Sequence, residues 1–339
     1  MGNVAGDNGG AIYASGRYEY TYPGAERRTV STVAHLDVGG SAVFSGNRAL
    51  GSYGGAISIE GQGTLAIHGR VRFEGNTGLV QAGAVHVNSR SEARISGRAV
   101  MDSNFAPSGG ALYADGGSTI RLSDSALLVN NSAQVAGGGI AAATGSLVSL
   151  SDNASVSLSS APRGGAVYLD RSAMAIAGHA RLADNRAGAG GMAYMVNSAS
   201  STISDWAVIE NNQADSEGGG VFASDSSLDV SGTAVIAGNR AGGSGGAVAA
   251  RASASVRVSG AAALLGNTAR TAGGAIDADT SVVLRLDGRS SVKLNRAANG
   301  GGISLRSVQG HIQGRCLQRN TILKLDLHER YSGYRNFLL

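Results

Sequence analysis

The sequence predicts an all-β protein, a right-handed single-stranded parallel β-helix of about ten to eleven coils with three short strands in each coil. Three observations support this fold class. A Gly-Gly-Ala-aliphatic block recurs at steps of 26 to 28 residues over most of the chain, short segments alternate apolar and polar residues, and an asparagine precedes most glycine pairs by five to seven residues. A repeat this short cannot bury its own apolar side and must stack on its neighbours. The handedness follows the usual rule for parallel crossovers.

The glycine pairs mark the start of each coil, where glycine reaches the positive φ values of a tight corner without steric penalty. Their leading residues are Gly9, Gly54, Gly109, Gly137, Gly164, Gly190, Gly218, Gly245, Gly273 and Gly300, and Ala82 with Gly83 fills the remaining position. Three residues after the leading glycine stands an aliphatic residue, such as Ile57 or Val167. Because side chains alternate across a strand, this column predicts an inward face.

Two further segments complete the predicted coil. The second alternates strictly, as in residues 120–124 and 256–260, which is typical of a half-buried strand. The third contains a large apolar residue followed three positions later by an asparagine. These asparagines are Asn47, Asn76, Asn104, Asn131, Asn185, Asn212, Asn239, Asn267 and Asn295. A buried amide without partners costs about 1–3 kcal/mol, so we expect the column to stack into a hydrogen-bonded ladder.

The spacing of the repeats also predicts the domain organisation. Residues 1–306 are expected to form one β-helix domain, with an insertion loop at about 17–30 where the step between glycine pairs lengthens to 45 residues. Such an insertion leaves the rod as a surface loop, either a tolerated one or one that binds a partner. Residues 307–339 are expected to form a degenerate last coil and a C-terminal tail. That tail either caps the rod or is foreign sequence at the end of a fragment.

Composition excludes several classes of function. The formal net charge is +4 and both signs are scattered along the chain, which gives no case for nucleic acid as a partner. The single cysteine, Cys316, excludes an internal disulfide framework and a thiolate metal site. No apolar run approaches the roughly 18 residues of a transmembrane helix, and the first residues lack the basic and apolar regions of a signal peptide. We therefore expect no transmembrane segment and no export signal within this sequence.

An enzymatic function is tested by the positions of the acidic residues. Polysaccharide lyases and hydrolases also use parallel β-helices, and they need carboxylates close together on one face. Six residues after the leading glycine stand acids on separated coils: Glu60, Asp115, Asp170 and Asp279. The six histidines lack the paired spacing of a zinc site. We predict no catalytic, cofactor or metal site, and a polysaccharide lyase or hydrolase remains the alternative interpretation.

An aromatic column is the candidate binding surface. Four residues after the leading glycine stand Tyr113, Tyr168, Tyr194 and Phe222. Their neighbours on both sides face inward, so these rings are expected to form a stripe on the outer surface. Exposed aromatic stripes bind sugars or protein partners. The alternative is that the rings only reinforce the stack of coils, as cross-strand aromatic pairs do.

The two motifs together resemble those of a known family. Gly-Gly-Ala followed by Ile, Leu or Val, alternating with Phe-x-x-Asn, is similar to the repeats of the polymorphic outer membrane proteins of chlamydiae. Residues 44–47 and 73–76 are the most literal copies of the second motif, and residues 54–57, 164–167 and 273–276 of the first. In other coils Met, Leu, Ile or Val replaces the phenylalanine.

The resemblance implies a role at the cell surface. Proteins of that family are autotransporters, so it implies a surface-exposed passenger at the outer membrane or outside the cell, acting as an adhesin. The implied partner is a protein or glycan on a host or neighbouring cell. A truncated piece of a larger repeat protein, without independent function, is the third interpretation that the sequence leaves open.

Overall fold

The computed structural model describes residues 2–15, 17–20, 28–31, 33–51, 53–312, 317–318 and 320. These residues form an all-β parallel solenoid of about ten turns and contain no helix. The described part therefore holds no helix with the length and apolar character to cross a membrane. The predicted fold class is confirmed, and the parallel pairing is consistent with a right-handed β-helix. The predicted C-terminal tail beyond residue 320 and Cys316 lie outside the described residues.

Each coil contributes to four parallel sheets, not to the three that the sequence predicts. We number the sheets in the order in which the chain visits them after a glycine pair. Sheet 1 follows the glycine pair, and its strands are Ile12–Ser15, Ile57–Glu60, Val85–Val87, Leu112–Ala114, Ile140–Ala143, Val167–Asp170, Ala193–Val196, Val221–Ser224, Val248–Arg251, Ile276–Asp279 and Ile303–Arg306. Sheet 2 comprises His35–Val38, Thr64–Ile67, Glu92–Ile95, Thr119–Leu122, Leu147–Leu150, Ala173–Ile176, Ser200–Ile203, Ser227–Val230, Ser255–Val258, Val283–Leu286 and Gln309–Ile312.

The two remaining sheets lie before and after the asparagine position. Sheet 3 comprises Val43–Ser45, Arg72–Glu74, Val100–Asp102, Leu127–Val129, Ser155–Ser157, Arg181–Ala183, Val208–Glu210, Val235–Ala237, Ala263–Leu265, Ser291–Lys293 and Leu317–Gln318. Sheet 4 comprises Val4–Ala5, Arg48–Ala49, Thr77–Gly78, Phe105–Ser108, Ser132–Ala136, Ser160–Arg163, Arg186–Ala189, Gln213–Ala214, Arg240–Ala241 and Thr268–Ala269. Sheet 4 is formed by a fourth strand in the coil, which the sequence interpretation did not predict.

The first long step between glycine pairs contains a β-hairpin. Arg17–Tyr20 pairs antiparallel with Arg28–Ser31, and these strands join none of the four parallel sheets. The expected insertion loop at about 17–30 therefore includes this hairpin, and residues 21–27 between its strands lie outside the described part. An antiparallel hairpin satisfies its own inner backbone groups, so it adds residues without changing the stacking of the coils.

The interior of the rod is one continuous cluster of mostly aliphatic side chains from sheets 1, 2 and 3. Residues directly above one another in sheet 1, such as Ile57, Val85 and Leu112, are fully buried. In sheet 3 the large apolar residue before the asparagine occupies the equivalent position, and the rings of Phe44 and Phe73 stack there at 4.7 Å with 5° between their planes. Such a narrow core buries each side chain mainly against its copies in the adjacent coils.

We predict that Phe73→Ala destabilises the protein by about 3–5 kcal/mol, because it opens a cavity in the core that the neighbouring coils cannot close. Phe73→Leu is the matched control, since Leu128 and Leu182 occupy the same column in other coils. We expect it to cost less than about 1.5 kcal/mol. Urea unfolding followed by circular dichroism measures both effects. Equal midpoints for the two variants would contradict this account of the core.

Candidate functional site

The asparagine column is buried and hydrogen-bonded from coil to coil. In each repeat of the pattern, one Oδ1 accepts both the backbone N–H and the Nδ2–H of the asparagine in the preceding coil. The Nδ2 to Oδ1 distances run from 2.8 to 3.0 Å between Asn47 and Asn131 and from Asn185 to Asn295. Most Nδ2 groups also donate to a sheet 3 carbonyl of the preceding coil, as Asn104 does to Phe73 at 3.1 Å. Both donors of a buried amide are thereby used.

The structure also shows where this column extends and where it is interrupted. Asn3 donates to Asn47 at one end, and Asn295 donates to Asn320 at the other. In the coil between Asn131 and Asn185 the ladder position is Ser159, whose hydroxyl donates to the carbonyl oxygen of Ser157 instead. The backbone N–H of Ser159 still donates to the Oδ1 of Asn185 at 3.0 Å. The ladder is therefore divided into two stretches at Ser159.

The candidate aromatic residues all lie in one outward column of sheet 1. The register of the strands places Tyr168, Tyr194 and Phe222 on consecutive coils. Their rings stack at 5.9 Å and 4.6 Å, each with 15° between planes. The guanidinium of Arg163 lies 5.9 Å from the centre of the Tyr194 ring, within the range of a cation–π contact. Tyr113 is separated from this stack by Ala141.

The expectation that all these rings stand on the outer surface is wrong for Tyr113. Only 8% of Tyr113 is exposed, because it packs with Ala82 and Ala141 in a small apolar cluster outside the main core. Ala82 belongs to the turn that leads into sheet 1, so the turn covers this part of the sheet. Burial, and secondarily the charge of Asp115, raises the pKa of Tyr113 to about 12. Tyr168, Tyr194 and Phe222 are half-buried and remain accessible.

A polar group that the sequence interpretation did not assemble lies in the same column. His86 is stacked above Ser58 in register, and its Nδ1 lies 3.3 Å from the Ser58 hydroxyl. Its Nε2 lies 3.7 Å from Asp115 Oδ1. The ring of Tyr53 covers His86 at 4.5 Å. Two atoms of this group are buried without a hydrogen-bond partner among the described residues: His86 Nε2 and Asp115 Oδ1.

Ser58, His86 and Asp115 stand in the order of a hydrolytic triad, but their burial is unsuited to catalysis. Ser58 and His86 have no exposed surface, so the hydroxyl cannot meet a substrate in this conformation. Burial lowers the pKa of His86 to about 4, and burial with the charge of Glu60 raises the pKa of Asp115 to about 6. At pH 7 the imidazole is therefore neutral and the carboxyl group ionised. His86 and Asp115 thus form a titratable pair that is covered on the outer side of sheet 1.

The acids that the sequence singles out have mostly uncharged or basic neighbours. Glu60 pairs in register with Ser15, Asp170 with Ala143 and Val196, and Asp279 with Arg306. Two other acids, Asp124 and Asp152, do lie on adjacent coils. Their carboxylates accept backbone N–H groups of Gly97 and Asp124 respectively, so they support the turns. Within the described ranges no three His, Cys, Asp or Glu side chains gather closely enough to hold a metal ion.

The other end of the same column carries an ion-pair network. Asp277 is fully buried, and its Oδ2 accepts from Arg251 at 2.6 Å and from Arg306 at 3.4 Å. Arg251 also contacts Glu217 at 2.6 Å, and Arg306 contacts Asp279 at 3.2 Å. Two guanidinium groups thus compensate the buried carboxylate, which would be costly alone. This network holds the turn before one glycine pair against the strands of the following coils.

The fold and this surface define a class of protein: a parallel β-solenoid with a rigid, partly aromatic outer face. Comparison with family models then gives one match, to the Chlamydia polymorphic membrane protein (Chlamydia_PMP) repeat, over residues 41–60. That stretch contains Phe44, Asn47 and the glycine pair at Gly54. The resemblance predicted from the motifs is confirmed there. No curated protein matches the chain, and no solved structure does.

We predict that Asn212→Ala destabilises the protein by about 1–3 kcal/mol, because it removes the acceptor of the Asn185 backbone N–H and of one Asn185 Nδ2–H, and the donor to the Leu182 carbonyl. The control is Asn153→Ala, at an exposed position outside the ladder, which is expected to change stability by less than about 0.5 kcal/mol. The midpoint of urea unfolding is the measurement. A loss of equal size in the two variants would show that the ladder adds nothing.

The His86 and Asp115 pair predicts a compensated pH dependence. Between about pH 6.5 and 4 the unfolded chain protonates His86 while the folded chain does not, so this residue removes stability as the pH falls. Asp115 acts oppositely, because the folded state takes up its proton near pH 6 and the unfolded state only near pH 4. The two contributions cancel over about pH 6 to 4.

Asp115→Asn is therefore expected to expose the acid sensitivity of His86. Relative to the unmodified protein, its stability falls as the pH drops from 6 to 4, by less than the roughly 1.4 kcal/mol per pH unit of a full proton difference, because Asp115 is partly exposed to solvent. His86→Gln should change in the opposite direction over the same range. Unfolding midpoints at half-unit pH steps measure both variants, and parallel curves for all three proteins would refute the coupling.

Proposed function

We propose that this chain is a non-enzymatic cell-surface module, a segment of an adhesin-like autotransporter passenger that contacts a protein or glycan on a host or neighbouring cell. The match of residues 41–60 to the Chlamydia polymorphic membrane protein repeat supports a location at the cell surface. The regular solenoid supports a role in display, because it holds side chains on an extended rigid face.

The observation that carries the adhesive part of the proposal is the stack of Tyr168, Tyr194 and Phe222. Three aromatic rings on consecutive coils, with Arg163 beside the middle ring, stay partly accessible on a rigid sheet. Tyrosine and arginine are enriched among residues that dominate binding energy at interfaces. Because the strand ladder already fixes these rings, little conformational entropy is lost when a partner binds.

The test is the triple variant Tyr168→Ser, Tyr194→Ser and Phe222→Ser in an assay of binding to cultured epithelial cells. We expect cell binding to fall at least about tenfold while the circular dichroism spectrum is retained. The matched control replaces three half-buried outward residues of sheet 3 by serine: Val100, Leu127 and Val129. It should bind cells like the unmodified protein.

Two outcomes would count against the proposal. Unchanged cell binding with a lower melting temperature would assign the rings a purely structural role in reinforcing sheet 1. Equal loss of binding in the triple variant and in the sheet 3 control would show that the effect is not specific to the aromatic face. The double variant Tyr168→Phe and Tyr194→Phe separates ring stacking from the hydroxyl groups, since it keeps the rings.

A further inference from the structure

The one tryptophan of the chain stands on the surface, at the turn between sheets 2 and 3. Trp206 is 60% exposed, more than any other aromatic side chain whose burial the structure describes. The turn that carries it is well fixed. Asp205 adopts a φ of 56°, and its carboxylate accepts the backbone N–H of Gly178 at 3.0 Å. The backbone that carries the exposed indole is thus held to the preceding coil.

One face of this indole is covered and the other is open. The ring of His179, in the preceding coil, stacks on Trp206 at 5.1 Å with 13° between the planes. Because the two residues occupy equivalent places in successive coils, the indole plane lies across the axis of the rod. Its second face therefore looks along the axis toward the following coil.

The following coils leave room in front of that open face. The two next positions of the column are Thr233 and Ala261, and the third is Arg289. The Thr233 hydroxyl donates a hydrogen bond to the carbonyl oxygen of Asp205 at 2.6 Å. Three coil spacings of about 4.8 Å separate Trp206 from Arg289, so the two small residues form a shelf about 14 Å long between the indole and the arginine. We call these four positions, Trp206, Thr233, Ala261 and Arg289, the indole shelf.

We propose that the indole shelf is a carbohydrate-binding site, which takes a β-linked hexopyranose with the apolar face of its ring against Trp206. The C–H groups on one face of such a sugar are the part that an electron-rich indole attracts and shields from water. A sugar ring stacked on the indole is about one coil spacing thick, so the small side chains of Thr233 and Ala261 leave room for it. The open sides leave the rest of an oligosaccharide in water, where its hydroxyl groups remain solvated.

The surroundings of the shelf provide the polar contacts that a sugar needs. Arg289 is exposed at the far end and brings up to five N–H donors. A protein partner would instead require the indole to enter a dry, closely fitted pocket. The open shelf, with an exposed guanidinium at its far end, favours a glycan.

This site lies on a different face from the stack of Tyr168, Tyr194 and Phe222. It goes beyond the adhesive role proposed above and does not depend on it, because the two surfaces occupy separate columns of the solenoid. A glycan bound by purified protein and a cell bound through sheet 1 are separate observations. Either can fail without the other.

The experiment uses Trp206 as its own reporter, since the chain has no other tryptophan. The full chain is titrated with chitotetraose, cellotetraose and lacto-N-tetraose while the indole emission is recorded. We expect at least one of these sugars to give a saturable shift of the emission to shorter wavelength. Thr233→Tyr fills the shelf with a third stacked ring. It should lower the affinity for that sugar at least tenfold while the melting temperature is maintained.

Two further variants make the result decisive. Trp206→Ala, followed by calorimetric titration, is expected to lose binding at least tenfold, and Val100→Ser, at a half-buried outward position of sheet 3, should bind the sugar like the unmodified protein. The proposal is overturned if none of the three sugars produces a saturable shift. It is also overturned if Thr233→Tyr, with an unchanged circular dichroism spectrum, binds as tightly as the unmodified chain.

Discussion

The equal length of successive coils is the constraint on which the structure depends. When each turn of the chain returns after 26 to 28 residues, every strand lies on its copy, and the backbone groups of one coil are satisfied by the next. The asparagine ladder continues the same pairing at a corner where no strand is present. Side chains on the outer surface are also aligned from coil to coil. The rings of Tyr168 and Tyr194, and the indole of Trp206 over His179, are stacked because the backbone beneath them is stacked.

The sequence was sufficient for three of the four sheets, and the reason for the omission is physical. Alternation of apolar and polar residues needs about four residues to be visible, whereas strands of sheet 4 such as Arg48–Ala49 and Thr77–Gly78 contain two. A usable signal was nevertheless present. A small buried residue follows the ladder position by two in coil after coil, as Ala106, Ala133 and Ala187 show. That column is the inward face of sheet 4.

The candidate surface was predicted less completely than the fold. Strand alternation identified the side of sheet 1 to which Tyr113 and Tyr168 belong, but alternation carries no information about what covers that side. The turn at Ala82 covers Tyr113, and this depends on how sheets 4 and 1 meet at the corner. The sequence interpretation did not single out Trp206, for another reason. A single residue makes no column, and its exposure is visible only once the coil is built.

The asparagine ladder is interrupted at Ser159, and we call this position the seam of the rod. On either side of it, asparagine amides join neighbouring coils through their side chains, while among the described residues no side-chain bond links the Asn131 amide to Ser159, whose hydroxyl turns to Ser157 instead. In a solenoid, the strength of coupling between adjacent units sets how far cooperativity extends. We therefore expect tension along the axis to part the molecule first at this coil, so that the rod behaves mechanically as two linked segments rather than one continuous bar.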